Sequence, residues 1–173
     1  MTKPLRTTLK LIAAVAAVAA APAAIAANTS ASSTGTVVTP IAITKAADLV
    51  FGKFAAVTGG TITVSTSGAR SVTGAVIGMS GTPTAAKFDV TGEADATYSI
   101  NLTAPATLDS GTDTMAFAAV SDLTAANTTS GNVTTGTLTG GAQSIYVGGV
   151  LTVGSGQAPG TYTGNVIATV EYN

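Results

Sequence analysis

The chain has 173 residues, a formal net charge of −1, only 9% charged residues, and no Cys, His or Trp. Without imidazole or thiol it cannot build Ser-His-Asp or Cys-His catalysis, the commonest zinc sites, or thiolate chemistry. Without a basic cluster it has almost nothing to neutralise the phosphates of a nucleic acid or an anionic membrane surface.

Taken in chain order, the first segment is read as an export signal covering residues 1–26. Lys3, Arg6 and Lys10 make a basic start, Leu11 to Ala21 follow as an uncharged apolar run, and Pro22 breaks it. Ala24-Ile25-Ala26 then offers small residues at the two positions a signal peptidase reads. The run is shorter than the roughly 20 apolar residues a spanning helix needs, so cleavage is expected and the mature chain holds no transmembrane segment. Past it, Lys45, Lys53, Arg70 and Lys87 face eight acids, so the mature chain carries −4. Lacking disulfides, it must hold through its core alone, and about 145 residues suffice for that in one domain.

"ANTSASSTG" (Ala27 to Gly35) is small and polar, and residues 27–40 are read as a flexible extension. "TVVTPIAIT" follows, with Pro40 restricting it to an edge or to two half-strands. "ITKAADLVFG" could make one helical turn around Ala46 and Ala47, and no helix is expected beyond it. Then come short segments of alternating character separated by Gly, Asn, Asp and Pro. "GTITVS" puts Ile62 and Val64 on one face, and "SVTGAVIG" carries Val72 and Val76, with Gly74 marking a bulge. "AKFDVTG", "TYSINLT", "TMAFAAV" and "SIYVGGVLTV" continue the pattern, while "LTAANTTSGNVTTGTLTGG" (Leu123 to Gly141) reads as a mobile connection with one poor strand. The last segment aligns Val166, Ala168, Val170 and Tyr172 against Asn165, Ile167, Thr169 and Glu171, a half-buried strand. Turn signals every 8–12 residues or so predict an all-β fold: an immunoglobulin-like antiparallel β-sandwich of eight or nine strands in a single domain, residues 41–173.

Candidate chemistry is sparse, and no catalytic residue, metal ligand or cofactor is assigned. Gly154-Ser155-Gly156 precedes a strand rather than a helix, so it reads as a turn and not a phosphate cradle. Asp89, Glu93 and Asp95, and separately Asp109 and Asp113, could offer oxygens to calcium but lack the spacing of a known loop. Paired carboxylates for glycoside hydrolysis lack the aromatic platform such sites need. The protein is not expected to be an enzyme.

The motifs "LVFG", "GTITVSTSGAR", "AAKFDVTGEADATYSINL" and "VGGVLTVGSGQAPGTYTGNVIATVEYN" together resemble the family numbered 4402 among domains of unknown function. That resemblance runs from about Ile41 to Asn173 and implies an exported bacterial protein, often encoded beside chaperone–usher machinery. Two departures from its pattern are small: Thr103 stands where Pro is common, and Ala168 replaces a bulkier apolar residue. The end of the chain also resembles chaperone–usher pilins, which finish in an alternating strand with an aromatic next to last and a Gly fourteen residues from the end; here these are Tyr172 and Gly160. Many pilins carry a disulfide, which this chain cannot form.

By that resemblance, Gly160, Tyr162, Val166, Ala168, Val170 and Tyr172 would border a groove left by one missing strand. A periplasmic chaperone, working with an outer-membrane usher, would fill it first, and then a neighbouring copy or related subunit. An exposed pair of strand edges with bare apolar side chains is physically suited to such an addition. The candidate donor carries Val37, Ile41 and Ile43 on one parity. If the chain from Ile41 onward is instead the domain's own first strand, only Val37 and Val38 remain as anchors. Two functions therefore stand as expectations: a fibre subunit assembled by donor-strand complementation at the cell surface, and a self-complete secreted or periplasmic binding module.

Overall fold

The structure is a computed structural model describing residues 26–173, so the expected export signal lies outside it apart from Ala26. Residues 26–36 are exposed and carry no regular structure, and the folded unit runs from Val37 to Asn173. Among the described residues, no helix is long and apolar enough to cross a membrane. The described residues form ten strands: β1 (Ala42–Ala47), β2 (Phe54–Val64), β3 (Arg70–Gly78), β4 (Ala86–Thr91), β5 (Thr97–Thr103), β6 (Thr107–Asp109), β7 (Thr114–Asp122), β8 (Thr135–Thr137), β9 (Ala142–Val153) and β10 (Ile167–Tyr172). They make two antiparallel sheets, of seven and three strands, and the expected β-sandwich is what they build. The count exceeds the predicted eight or nine because β6, only three residues long, shows no period in the sequence.

The organiser of the large sheet is β9. Its first half pairs with β4 and its second half with β2, end to end on one edge, while β7 runs along the other edge across both halves. β1 extends the sheet beyond β4, β3 beyond β2, and β6 beyond β7. The small sheet, in the order β10-β5-β8, has β10 at its edge.

Alternation along β9 keeps Ile145, Val147, Leu151 and Val153 on one buried face, so this single strand serves two clusters. The first gathers Ile62, Val64, Met115, Phe117 and Leu151 around Phe51, whose ring meets Phe117 edge-on at 6.1 Å. The second sets Tyr98 and Ile100 of the small sheet against Phe88, Val90, Ile145 and Val147 of the large one. Leu49, Ala119 and Val166 pack on both clusters and join them.

Gly74 does mark an irregularity. Ala56 pairs with Val76 and Gly60 with Gly74, so Val57, Thr58 and Gly59 bulge out opposite Ala75. In one place local pattern gave the wrong element. The turn suggested around Ala46 and Ala47 is the end of β1, bulged between Lys45 and Ala47, where pairing with β4 overrides the helix-forming alanines. The stretch Leu123 to Gly141, expected to be a mobile connection with one poor strand, does hold one short strand, β8, and its start is bound by the buried carboxylate of Asp122. One of its oxygens accepts from the amides of Thr124 (3.0 Å) and Ala125 (2.7 Å); the other accepts from the Ala126 amide (2.9 Å) and the hydroxyls of Thr66 (2.6 Å) and Thr128 (2.9 Å). Burial pushes the Asp122 pKa up, but the hydrogen bonds from Thr66, Thr128, Ala126 and Thr124 outweigh it and hold the group below the usual carboxylate range.

A candidate strand-binding groove

The closing strand has the face predicted for it. Val166, Ala168, Val170 and Tyr172 are half-buried and pack on the second cluster, whereas Asn165, Ile167, Thr169 and Glu171 are exposed. β10 is paired to β5 from Ile167↔Thr103 to Tyr172↔Tyr98. It runs beside β1 of the facing sheet, the two strands being edge elements of their sheets.

At one end of these strands lies an open groove of about 1420 Å³, lined by Lys45 and Ala47 of β1 and by Ile167 of β10; of the residues expected to border it, Gly160, Tyr162 and Val166 do, whereas Ala168, Val170 and Tyr172 pack on the second cluster instead. One wall is the segment Ala47–Ala56 with Met79 and Thr82, the other is Gln157–Ile167, and the floor is Leu108, Met115, Phe117 and Leu151 of the first cluster. The walls carry few charges, and two of them, Lys45 and Asp48, pair with each other at 2.6 Å on the exposed rim. An open, mostly apolar trough that reaches the start of an edge strand suits an extended peptide better than a small polar substrate.

The residues before β10 shape the second wall. The Tyr162 ring packs on the first cluster, and its hydroxyl donates to the Ala158 carbonyl (2.8 Å) while accepting from the Gln157 side-chain amide Nε2 (2.8 Å). The same amide reaches the Thr114 carbonyl at 3.2 Å, tying the wall to β7. Gly160 lies on this wall, not in β10, and a Cβ there would come within 3.3 Å of the Ser110 side chain. Its role in the structure is therefore close approach of the wall to the turn after β6.

The candidate donor residues are separated. Ile43 sits in β1, opposite Val90, and both Ile41 and Ile43 pack on the second cluster. Those two are corrected from donor to the domain's own packing, Ile43 within β1 and Ile41 just ahead of it, because Pro40 ends the extension and pairing with β4 starts at Ala42. Val37 remains outside, 98% exposed, with Val38 at 50%.

Sequence reasoning missed a knot of contacts at the far end of β10. The Tyr172 hydroxyl donates to the Thr39 carbonyl (2.7 Å) and accepts from the Glu93 amide (2.6 Å), and the Glu93 carboxylate accepts from the Thr39 amide (2.9 Å). The bond from the Thr39 amide holds the Glu93 pKa below the usual range. Gly92 makes room for this knot, since a Cβ there would run into the Tyr172 hydroxyl and Leu138. The terminal aromatic is thus fixed by its hydroxyl as well as its ring.

The acidic groupings are committed elsewhere. Asp89 meets Lys87 (2.9 Å) and Ser144 (2.7 Å), Asp109 bonds the Gly111 amide, and among the described residues no group of three or more carboxylates is placed to hold a metal ion.

The sequence pattern of the family described as "Domain of unknown function (DUF4402)" matches residues 41–172, so the chain belongs to that family. No curated protein matches the chain.

Proposed function

We propose that this DUF4402 member is a structural subunit of a cell-surface fibre, joined to its neighbours by donation of an N-terminal strand. The observation that carries the reading is the groove: an apolar trough that reaches the start of the edge strand β10 at Ile167, in a chain whose Val37 and Val38 stand exposed ahead of β1. Residues 27–39 of a second copy would lie along β10, with backbone bonds completing a ladder and alternate side chains entering the trough. Before assembly a periplasmic chaperone would cover the same groove, and an outer-membrane usher would receive the subunit, in keeping with the resemblance of the closing strand to pilins. The protein is not read as an enzyme.

Val37 and Val38 point to opposite faces of an extended strand, so the donor brings one valine to the trough and small residues at its other inward positions. Burying that valine contributes about 1.5–3 kcal/mol, and the ladder must supply the rest. This favours a second reading, a self-complete secreted or periplasmic binding module that uses the groove for some other extended ligand.

Deletion of residues 29–38 separates the two. For a fibre subunit the truncated protein stays folded by circular dichroism but loses high-order assembly in light scattering, and an added peptide spanning residues 27–40 binds its groove. A protein that is monomeric with or without the segment, and that ignores the peptide, is the binding module.

A further inference from the structure

We infer that Thr39, Glu93 and Tyr172 form a clamp that sets the heading of the donated segment and keeps it out of its own groove. The inference rests on the fibre-subunit reading. It starts from a topological problem that any such subunit faces: a donor long enough to reach a neighbour is long enough to fold back. At about 3.3 Å per residue, the segment ahead of Thr39 could span some 40 Å, whereas the length of β1 that separates Thr39 from the groove is only about 20 Å. Self-filling is therefore within reach, and it needs only a reversal of the chain at Thr39 and Pro40.

The structure opposes that reversal at this point. Thr39 lies just beyond the last β1–β4 pair, Ala42↔Thr91, where β4 has turned away and can no longer supply a ladder. Side chains take its place on both polar groups of one residue: the amide of Thr39 is bound by the Glu93 carboxylate and its carbonyl by the Tyr172 hydroxyl. The Tyr172 hydroxyl is itself held by the Glu93 amide, which closes the ring of contacts. Pro40 has no amide proton, fixes its own φ, and pushes Thr39 toward extended conformations, so the strand direction of β1 is carried outward through Thr39. β1 enters beside Tyr172 and first meets the groove at Lys45, so the direction of β1, extended outward through Thr39, points away from the groove. Glu93 and Tyr172 are positioning residues here; they touch neither the donor side chains nor the trough.

The test compares the protein with a Glu93→Ala, Tyr172→Phe double variant after refolding at equal concentration. Monomer and polymer are separated by size-exclusion chromatography with light scattering, and the monomers are probed with a fluorescent peptide of residues 27–40. The double variant removes both hydrogen bonds that hold Thr39, together with the Glu93 amide's bond to the Tyr172 hydroxyl, and should raise the ratio of monomer to polymer about tenfold. Those monomers should fail to bind the peptide because their own segment fills the groove, and Glu93→Gln, which keeps an acceptor, should retain most of the polymer. An unchanged ratio in a folded double variant overturns the clamp while leaving the fibre reading intact. So does a rise in monomers that bind the peptide, since their grooves are not self-filled. A parent protein that forms no polymer and whose groove ignores the peptide removes the fibre reading, and the clamp with it.

Discussion

Replacing Asp122 by Asn is the most informative perturbation of the fold itself. The carboxylate accepts five hydrogen bonds, two at one oxygen and three at the other. An amide keeps one acceptor and presents two protons at the other position. If the NH₂ replaces the oxygen facing Thr124 and Ala125, two backbone amides meet a donor. If it replaces the other oxygen, the Thr66 and Thr128 hydroxyls can turn to accept, but the Ala126 amide cannot. The cheaper orientation therefore leaves one buried amide opposed and removes the charge from the remaining bonds, for a total cost of about 2–4 kcal/mol. Against the stability of about 5–15 kcal/mol typical of a domain, that is a large share, and the urea midpoint should fall by roughly 1–2 M. The pH profile supplies an independent check. Because the folded-state pKa is depressed, the stabilisation is fully present above the unfolded value of about 3.9 and is lost as pH falls through the lower folded value. The two proteins should differ by a constant amount from pH 7 to about 5, and their unfolding curves should converge on further acidification. A variant within about 0.5 kcal/mol of the parent at pH 7 would show that the Asp122 bonds do not anchor the chain after β7.

Two further outcomes test the end of β10. Gly92→Ala places a methyl against the Tyr172 hydroxyl and Leu138, so its thermal midpoint should drop with a cost of about 1–3 kcal/mol; part of that cost should vanish in a Tyr172→Phe background, and full additivity would place the strain elsewhere. Ile167→Asp, at a position 57% exposed, should alter denaturant stability by no more than about 0.5 kcal/mol, whereas Val170→Asp should cost about 3 kcal/mol or more; equal effects would refute the inward and outward assignment of the strand.

That assignment was legible because an edge strand with one face on the core and one in water must alternate, and Val166 to Tyr172 do so with the single exception of the exposed Ile167. Gly74 was legible as a bulge for a similar local reason. The division of β9 was not: Ile145, Val147, Leu151 and Val153 keep one parity throughout, so nothing in the pattern says that the neighbour on one edge changes from β4 to β2 midway. β6 and β8, three residues each, are too short to display a period. The clamp was hidden by distance along the chain, since Thr39 and Tyr172 are 133 residues apart and only the pairing of β1 and β5 with their neighbours brings them together. Asp122, in "SDLTAANTT", has the look of a solvated loop acid, and its burial follows from where β7 ends beneath Thr66.

The shared strand β9 has a consequence for how the molecule comes apart. Neither half of the interior can melt alone, because loosening β2 or β4 strips one flank of the same backbone that β7 grips on the other. Loss of structure should be a single cooperative event, with the amides between Ile145 and Leu151 the last to exchange their hydrogens with solvent.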